Sequence, residues 1–298
     1  MNTVDAFEND IRLELKFLEQ FIPQKKLATN AVFCGSGDSL CAAMLAEAFS
    51  NYTARACDPL EFAKNPEMGS KKHTYFVSIS GNTISNIKAA RLAKVSTTIT
   101  RNQNSRLAKT CKNTIVLNYH DSGILTAGSI GFLASALACI SLVFSFKISN
   151  VKKIYDTAIT QAKKVVSKNK IYFLGSQYTY PIAMYASAKL GEVLGIDSHY
   201  ERIEQFSHMG LFSAKKGDTV IILEQKNMHN LELAKNLKKI GLNVYHPSIQ
   251  SKSKINQVLF YVFMSQLVAL NLARQKRIKD CYFVSQKKTR AASSAMIY

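Results

Sequence analysis

Several signals that settle a protein's class early are missing from this sequence. Its six cysteines, at 34, 41, 57, 111, 139 and 281, form no CxxC and share no pairing of spacings. That argues against a disulfide or zinc framework and for small buried thiols in a reducing cytoplasm. No cluster of ligands with metal spacing appears, so neither a metal nor an organic cofactor is expected. A GxGxxG is absent, which argues against a dinucleotide fingerprint. Tryptophan is absent as well, without consequence. The opening residues, MNTVDAFENDIRLELKFLEQ, mix acids and bases at helical spacing and lack the apolar core of a signal peptide.

Acidic residues are scarce: 20 Asp and Glu stand against 39 Lys and Arg, a formal charge of +19. Such an excess suits a polyanion, an anionic membrane or a phosphorylated metabolite. The positive charge is scattered, densest after Lys215, and is not interleaved with aromatics on a nucleic-acid-binding motif. A nucleic-acid partner is therefore not expected.

Two long apolar runs raise the question of a membrane. Residues 122–146 carry no charge, and that length is enough to span a bilayer. Their first third, however, is rich in Gly, Ser and Thr, as befits a loop entering a helix. The second run, residues 255–273, contains Asn256, Gln257, Gln266 and Asn271. Both are expected to be buried helices of a globular or dimeric core, with no membrane partner.

A chain of 298 residues suits two domains. Residues 5–21 form an amphipathic helix through Phe7, Ile11, Leu15, Leu18 and Phe21. Short apolar strands then alternate with helices: 31–34, 75–79, 96–100 and 114–117 in the first half, 170–174, 219–223 and 242–245 in the second. This alternation predicts an α/β fold, two tandem domains, each a doubly wound parallel sheet flanked by helices. The charged segment at 149–153 divides them into 1–150 and 151–298.

The chemistry concentrates at strand ends. Ser78-Ile79-Ser80-Gly81-Asn82-Thr83 lies where a strand gives way to a helix, a place where unpaired N–H groups and hydroxyls receive anions. The bland alternative is that these residues cap the helix. The strand–SxSG(E/N)T–helix pattern resembles the phosphate grip of the sugar-isomerase (SIS) family. Cys34-Gly35-Ser36-Gly37 is similar to the glycine–serine turn after that family's first strand, and Leu125-Thr126-Ala127-Gly128-Ser129 to its small-residue loop before a buried helix. The resemblance implies two SIS domains and a sugar phosphate held by Ser78, Ser80 and Thr83, with Ser36 and Ser39.

In the second half, Lys189-Leu190-Gly191-Glu192 precedes His208 by the Glu-to-His interval found in the isomerase domain of glucosamine-6-phosphate synthase. This resemblance implies Glu192 as the carboxylate that shuttles a proton between C1 and C2, His208 as the ring-opening acid, and Lys189 as the helix lysine. The residue types suit the work: one carboxylate can act as base and then acid, and a lysine can balance an enediolate. The plain alternatives are an i, i+3 surface pair for Lys189 and Glu192, and His199 as a rival to His208. Lys287, seven residues after Asp280, stands where the aminotransferase branch forms a Schiff base, although the rest of that motif is missing and Lys288 is adjacent.

The departures are also informative. Ile79 replaces the glutamine usual in the synthases, Met-Gly rather than Gly-Pro follows His208, and no Cys follows Met1 to begin a glutaminase domain. The expected activity is aldose–ketose isomerisation of a hexose 6-phosphate. A deaminase or deglycase using Lys287 and a non-catalytic sugar-phosphate sensor stand as alternatives. The two uncharged helices, and the family's habit of building its site between subunits, lead to the expectation of a homodimer.

Overall fold

The computed structural model describes residues 1–24, 27–28 and 30–298. Its first half contains α1 (Thr3–Gln20), β1 (Ala31–Cys34), α2 (Asp38–Phe49), β2 (Arg55–Cys57), α3 (Pro59–Lys64) and β3 (His73–Val77). It continues with α4 (Ile84–Ala90), β4 (Ser96–Thr100), α5 (Arg106–Thr110), β5 (Asn113–Val116) and α6 (Ile130–Ser141). The second half contains α7 (Val151–Ala162), β6 (Ile171–Gly175), α8 (Tyr180–Leu194), β7 (Ser198–Arg202), α9 (Ile203–His208) and β8 (Thr219–Ile222). α10 (Met228–Lys239), β9 (Asn243–Tyr245), α11 (Lys254–Gln275), α12 (Tyr282–Ser285) and α13 (Lys287–Ile297) complete it.

Among the described residues the strands form two wholly parallel sheets, in the orders β2-β1-β3-β4-β5 and β7-β6-β8-β9. This is the α/β architecture the sequence predicts. The central strands β1, β6 and β8 are buried along their whole length, as parallel strands covered on both faces must be. In each sheet the chain moves to one side of its first strand and then returns to build on the other. Such a reversal leaves a crevice at the carboxyl ends of the two strands flanking it, here β1 and β3, and β6 and β8.

Sequence-local signals set the helix ends. Asp58 caps α3 by accepting from Leu60 N, with Pro59 in the first turn. Asn227 accepts from Asn230 N at the start of α10, and Ser253 from Asn256 N at the start of α11. Gly195, in the left-handed region, closes α8.

The chain divides into two compact units, and their composition differs from 1–150 and 151–298 at the edges. One unit contains the first sheet and comprises residues 20–121, 128–147 and 287–298; the other contains the second sheet and comprises 1–19, 122–127 and 148–286. The change at residue 148 lies close to the expected boundary. The first helix, however, counts with the second sheet: Glu14 bonds to Gln266 of α11, and Asp5 and Glu8 pair with Arg274.

The two apolar runs are interior helices, as expected. Every residue of α6 is buried. α11 is long and apolar enough to cross a membrane by length and composition, and 94% of its most apolar window is buried within the chain. Buried side chains such as Phe260 and Phe263 contribute about 1.5–3 kcal/mol each. This burial removes the ground on which the two uncharged helices pointed to a dimer, since the single chain already covers them.

Candidate active site

In the first-sheet unit, the serine loop and the glycine–serine turn follow the two strands that flank the reversal. β1 runs into Gly35-Ser36-Gly37 and α2, and β3 into Ser78–Thr83 and α4. At Gly35 a Cβ would lie 2.8 Å from the backbone of Ser39, so only glycine lets strand and helix approach so closely. Ser36 accepts from Ser39 N through its carbonyl (3.1 Å), and both serines are half-buried.

The loop after β3 is held from behind. Gly81 has φ +63°, and a Cβ there would stand 2.5 Å from Cβ of Ser105 and closer still to its Oγ. The Gly81 carbonyl accepts from Leu107 N (2.9 Å), and Asn82 Oδ1 from Arg106 N (3.3 Å). Ser105 caps α5 by accepting from Ala108 N. The loop's own hydroxyls are drawn inward. Ser78 Oγ accepts from Gly81 N (3.2 Å) and lies 3.4 Å from Thr83 Oγ1, while Ser80 Oγ accepts from Asn82 N (3.3 Å). Thr83 occupies the N-cap position of α4, yet its side chain makes no capping bond. The bland capping reading therefore fails for Thr83. Ile79 packs toward the start of α6, where a Cβ on Gly131 would lie 2.7 Å from its Cδ1.

In the second-sheet unit, Lys189 Nζ donates to Glu192 Oε2 at 2.6 Å. This is no ordinary surface pair: the Lys189 side chain is 0% exposed and that of Glu192 34%. The ammonium also lies 4.9 Å from the centre of the Tyr185 ring, a cation–π contact. A buried lysine costs several kcal/mol in lost hydration unless it is paired, and here Glu192 and the Tyr185 ring supply the pairing.

His208 ends α9, exposed, 3.0 Å from Glu204 Oε1, an i, i+4 contact on the surface. His199 stacks on Tyr172 at 5.0 Å, a packing role. Beside α9, a cavity of about 440 Å³ is lined by Tyr180, Tyr200, Glu201, Arg202, Gln205, Met209 and Gly210, with Arg202 over the Tyr180 ring. Lys287 is exposed at the start of α13. Thus Ser78, Ser80 and Thr83 come together in one loop, and Lys189 and Glu192 form one pair, while His208 bonds to neither member of that pair.

Strand ends do not point to two withdrawn carboxylates of the second-sheet unit, one half-buried and one fully buried. Glu224 follows β8, accepts from Thr179 Oγ1 at 3.0 Å and is raised by burial, with the bonds from Thr179 and Ser176 opposing that rise. Glu14, fully buried on α1, is raised well above the carboxylate range, first by burial and then by Asp10, against the bond from Gln266. No motif announces either residue; the only signal for Glu14 is a carboxylate one step from the apolar stripe of its helix.

Residues 164–249 match the SIS domain family. Over nearly its full length the chain shares its fold with several solved structures. A glucosamine-6-phosphate deaminase from Thermotoga maritima superposes with a TM-score of 0.74 at 18% identity, covering 93% of this chain and 95% of that one. The C-terminal domain of a glucosamine-fructose-6-phosphate aminotransferase from Francisella tularensis gives 0.70 at 13%, covering 92% and 96%. A tagatose-6-phosphate ketose/aldose isomerase from Escherichia coli gives 0.68 at 14%, covering 93% and 91%. These likenesses are of fold. No curated protein sequence matches the chain.

Proposed function

We propose that the chain is a phosphosugar isomerase that interconverts the aldose and ketose forms of a hexose 6-phosphate. The observation that carries this reading is the Lys189–Glu192 pair: a lysine withdrawn from water, bonded to a carboxylate that keeps one third of its surface exposed. In the proposed reaction Glu192 removes the proton from C2 of the aldose and returns it to C1, acting as base and then as acid. The Lys189 ammonium balances the negative charge that grows on the enediolate. Ser78, Ser80 and Thr83, with Ser36 and Ser39, hold the phosphate, and His208 protonates the ring oxygen so that the sugar opens.

The serine loop supports the sugar-phosphate half of the proposal. It lies at the reversal of strand order, and the Thr83 hydroxyl does not cap its helix. The likeness in fold to a glucosamine-6-phosphate deaminase favours a second reading. In that reading Lys287 forms an imine with C2 of an amino sugar, and ammonia is released.

A turnover assay separates these readings. Purified chain is offered fructose 6-phosphate, glucose 6-phosphate, mannose 6-phosphate and glucosamine 6-phosphate, with Glu192→Gln as control. Ketose–aldose conversion that disappears in the variant is the expected result. Ammonia release from the amino sugar moves the assignment to the deaminase, and binding without any turnover to a sugar-phosphate sensor.

A further inference from the structure

A string of side chains on three helices of the second-sheet unit leads from its interior to the Lys189–Glu192 pair. Glu14 of α1 and Gln266 of α11 are both fully buried. Gln266 Nε2 has two hydrogens: one is donated to Glu14 Oε1 at 2.7 Å, the other to the Tyr185 hydroxyl at 3.1 Å. Tyr185, on α8, presents its ring to the Lys189 ammonium, and Lys189 donates to Glu192.

The two ends of the Glu14–Gln266 contact are unbalanced. Glu14 Oε2 and Gln266 Oε1 are both buried without a hydrogen-bond partner among the described residues. With Glu14 ionised, both of these buried oxygens are acceptors and neither has a donor. The protonated acid instead supplies an O–H, the one donor that the cluster lacks. The groups that act on Glu14 are Asp10 on its own helix and the amide of Gln266 on α11; Tyr155 of α7 senses its charge, and Tyr185 of α8 shares Gln266 with it. Asp10 accepts from Ser122 N at 2.6 Å.

We infer that Glu14, held as the neutral acid, is a positioning residue for the Lys189–Glu192 pair. Through Gln266 it fixes the Tyr185 ring on which the ammonium rests. The inference rests on the isomerase proposal only for the use to which the pair is put; the string itself is a matter of geometry.

The test that needs no substrate is a double-mutant cycle in urea unfolding of the full chain, pairing Gln266→Leu with Lys189→Met. If Gln266 acts on Lys189 through Tyr185, the double variant loses clearly less stability than the two single losses added together. Strict additivity overturns the inference. Tyr185→Phe, which keeps the ring and removes the hydroxyl, repeats the cycle with Lys189→Met should Gln266→Leu fail to fold. On the active chain, Glu14→Gln is expected to leave KM unchanged and extend kcat further into the alkaline range, since the variant cannot ionise. An unchanged pH profile overturns the inference as well. A wild-type chain that turns over none of the sugars would sink the isomerase proposal while the unfolding cycle still decides this one.

Discussion

Replacing Gly81 by alanine puts the geometry of the serine loop to a quantitative test. The new Cβ meets two penalties. Its backbone stands at φ +63°, which costs an L-residue about 1–2 kcal/mol. Its position, 2.5 Å from Ser105 Cβ, forces Ser105 to move. Ser105 caps α5, and losing that cap costs about 1 kcal/mol. Together the penalties come to roughly 2–3 kcal/mol, or about 4–12 °C in Tm for a folding unit of this size. Thermal melting followed by circular dichroism measures the loss. Ser105→Gly supplies the control, because it removes the colliding atoms and leaves the backbone penalty in place. In that background Gly81→Ala should cost only about 1–2 kcal/mol. The reasoning is refuted if the substitution costs the same with and without the Ser105 side chain, or if it is nearly silent in both.

Three further outcomes are expected. Thr83→Val should leave stability within about 0.5 kcal/mol, because its hydroxyl caps nothing, yet weaken sugar-phosphate binding about tenfold or more, as calorimetry would read. A clear stability loss would restore the capping role. Raising the pH should destabilise the wild-type chain through Glu14: its folded pKa lies above the unfolded value, so its contribution is complete below about pH 4.3 and is lost as the pH climbs through the folded pKa. Urea midpoints across pH should fall less steeply in Glu14→Gln; equal slopes would show that the carboxyl is not held neutral. A thiol reagent should label the native chain slowly and all six cysteines in denaturant, because every one is buried and burial raises Cys111 to about 11. Rapid labelling of native thiols would contradict that packing.

The seven strands expected from apolar runs all exist, 31–34 and 96–100 with the expected ends and the others with ends shifted by one or two residues. The two that escaped notice, β2 and β7, are the edge strands next to β1 and β6. Arg55-Ala56-Cys57 is too short to display a pattern, and Ser-His-Tyr-Glu-Arg is polar because an edge needs no apolar cover. The serine loop was legible because backbone chemistry at a strand end demands particular residues at fixed offsets. Lys189 and Glu192 were legible by spacing, but the withdrawal of Lys189 from water was not, since an i, i+3 pair reads the same on either face of a helix. His208 shows the opposite limit: an interval along the chain cannot tell which partner a side chain meets, and here the partner is Glu204. On α1 the apolar period passes between residues 14 and 15. Hydropathy favours Leu15, whereas the fold buries Glu14 and leaves Leu15 half-exposed, because Gln266 offers the carboxyl a partner.

The docking of α1 with the second sheet has a consequence for the order in which the chain is made. α1 leaves the ribosome well before α11, because the residue that receives Glu14 is synthesised 252 positions later. At about 5–20 residues per second that is a wait of roughly 13–50 s. Throughout it, Val4, Phe7, Ile11 and Leu18 have no mature surface to cover them, while β1 to β5 have already been completed. The first sheet can therefore form early, whereas the second-sheet unit closes only at the end, over one of the longest sequence separations the chain offers. Slow, late closure of this kind exposes an apolar helix to chaperones and to premature association.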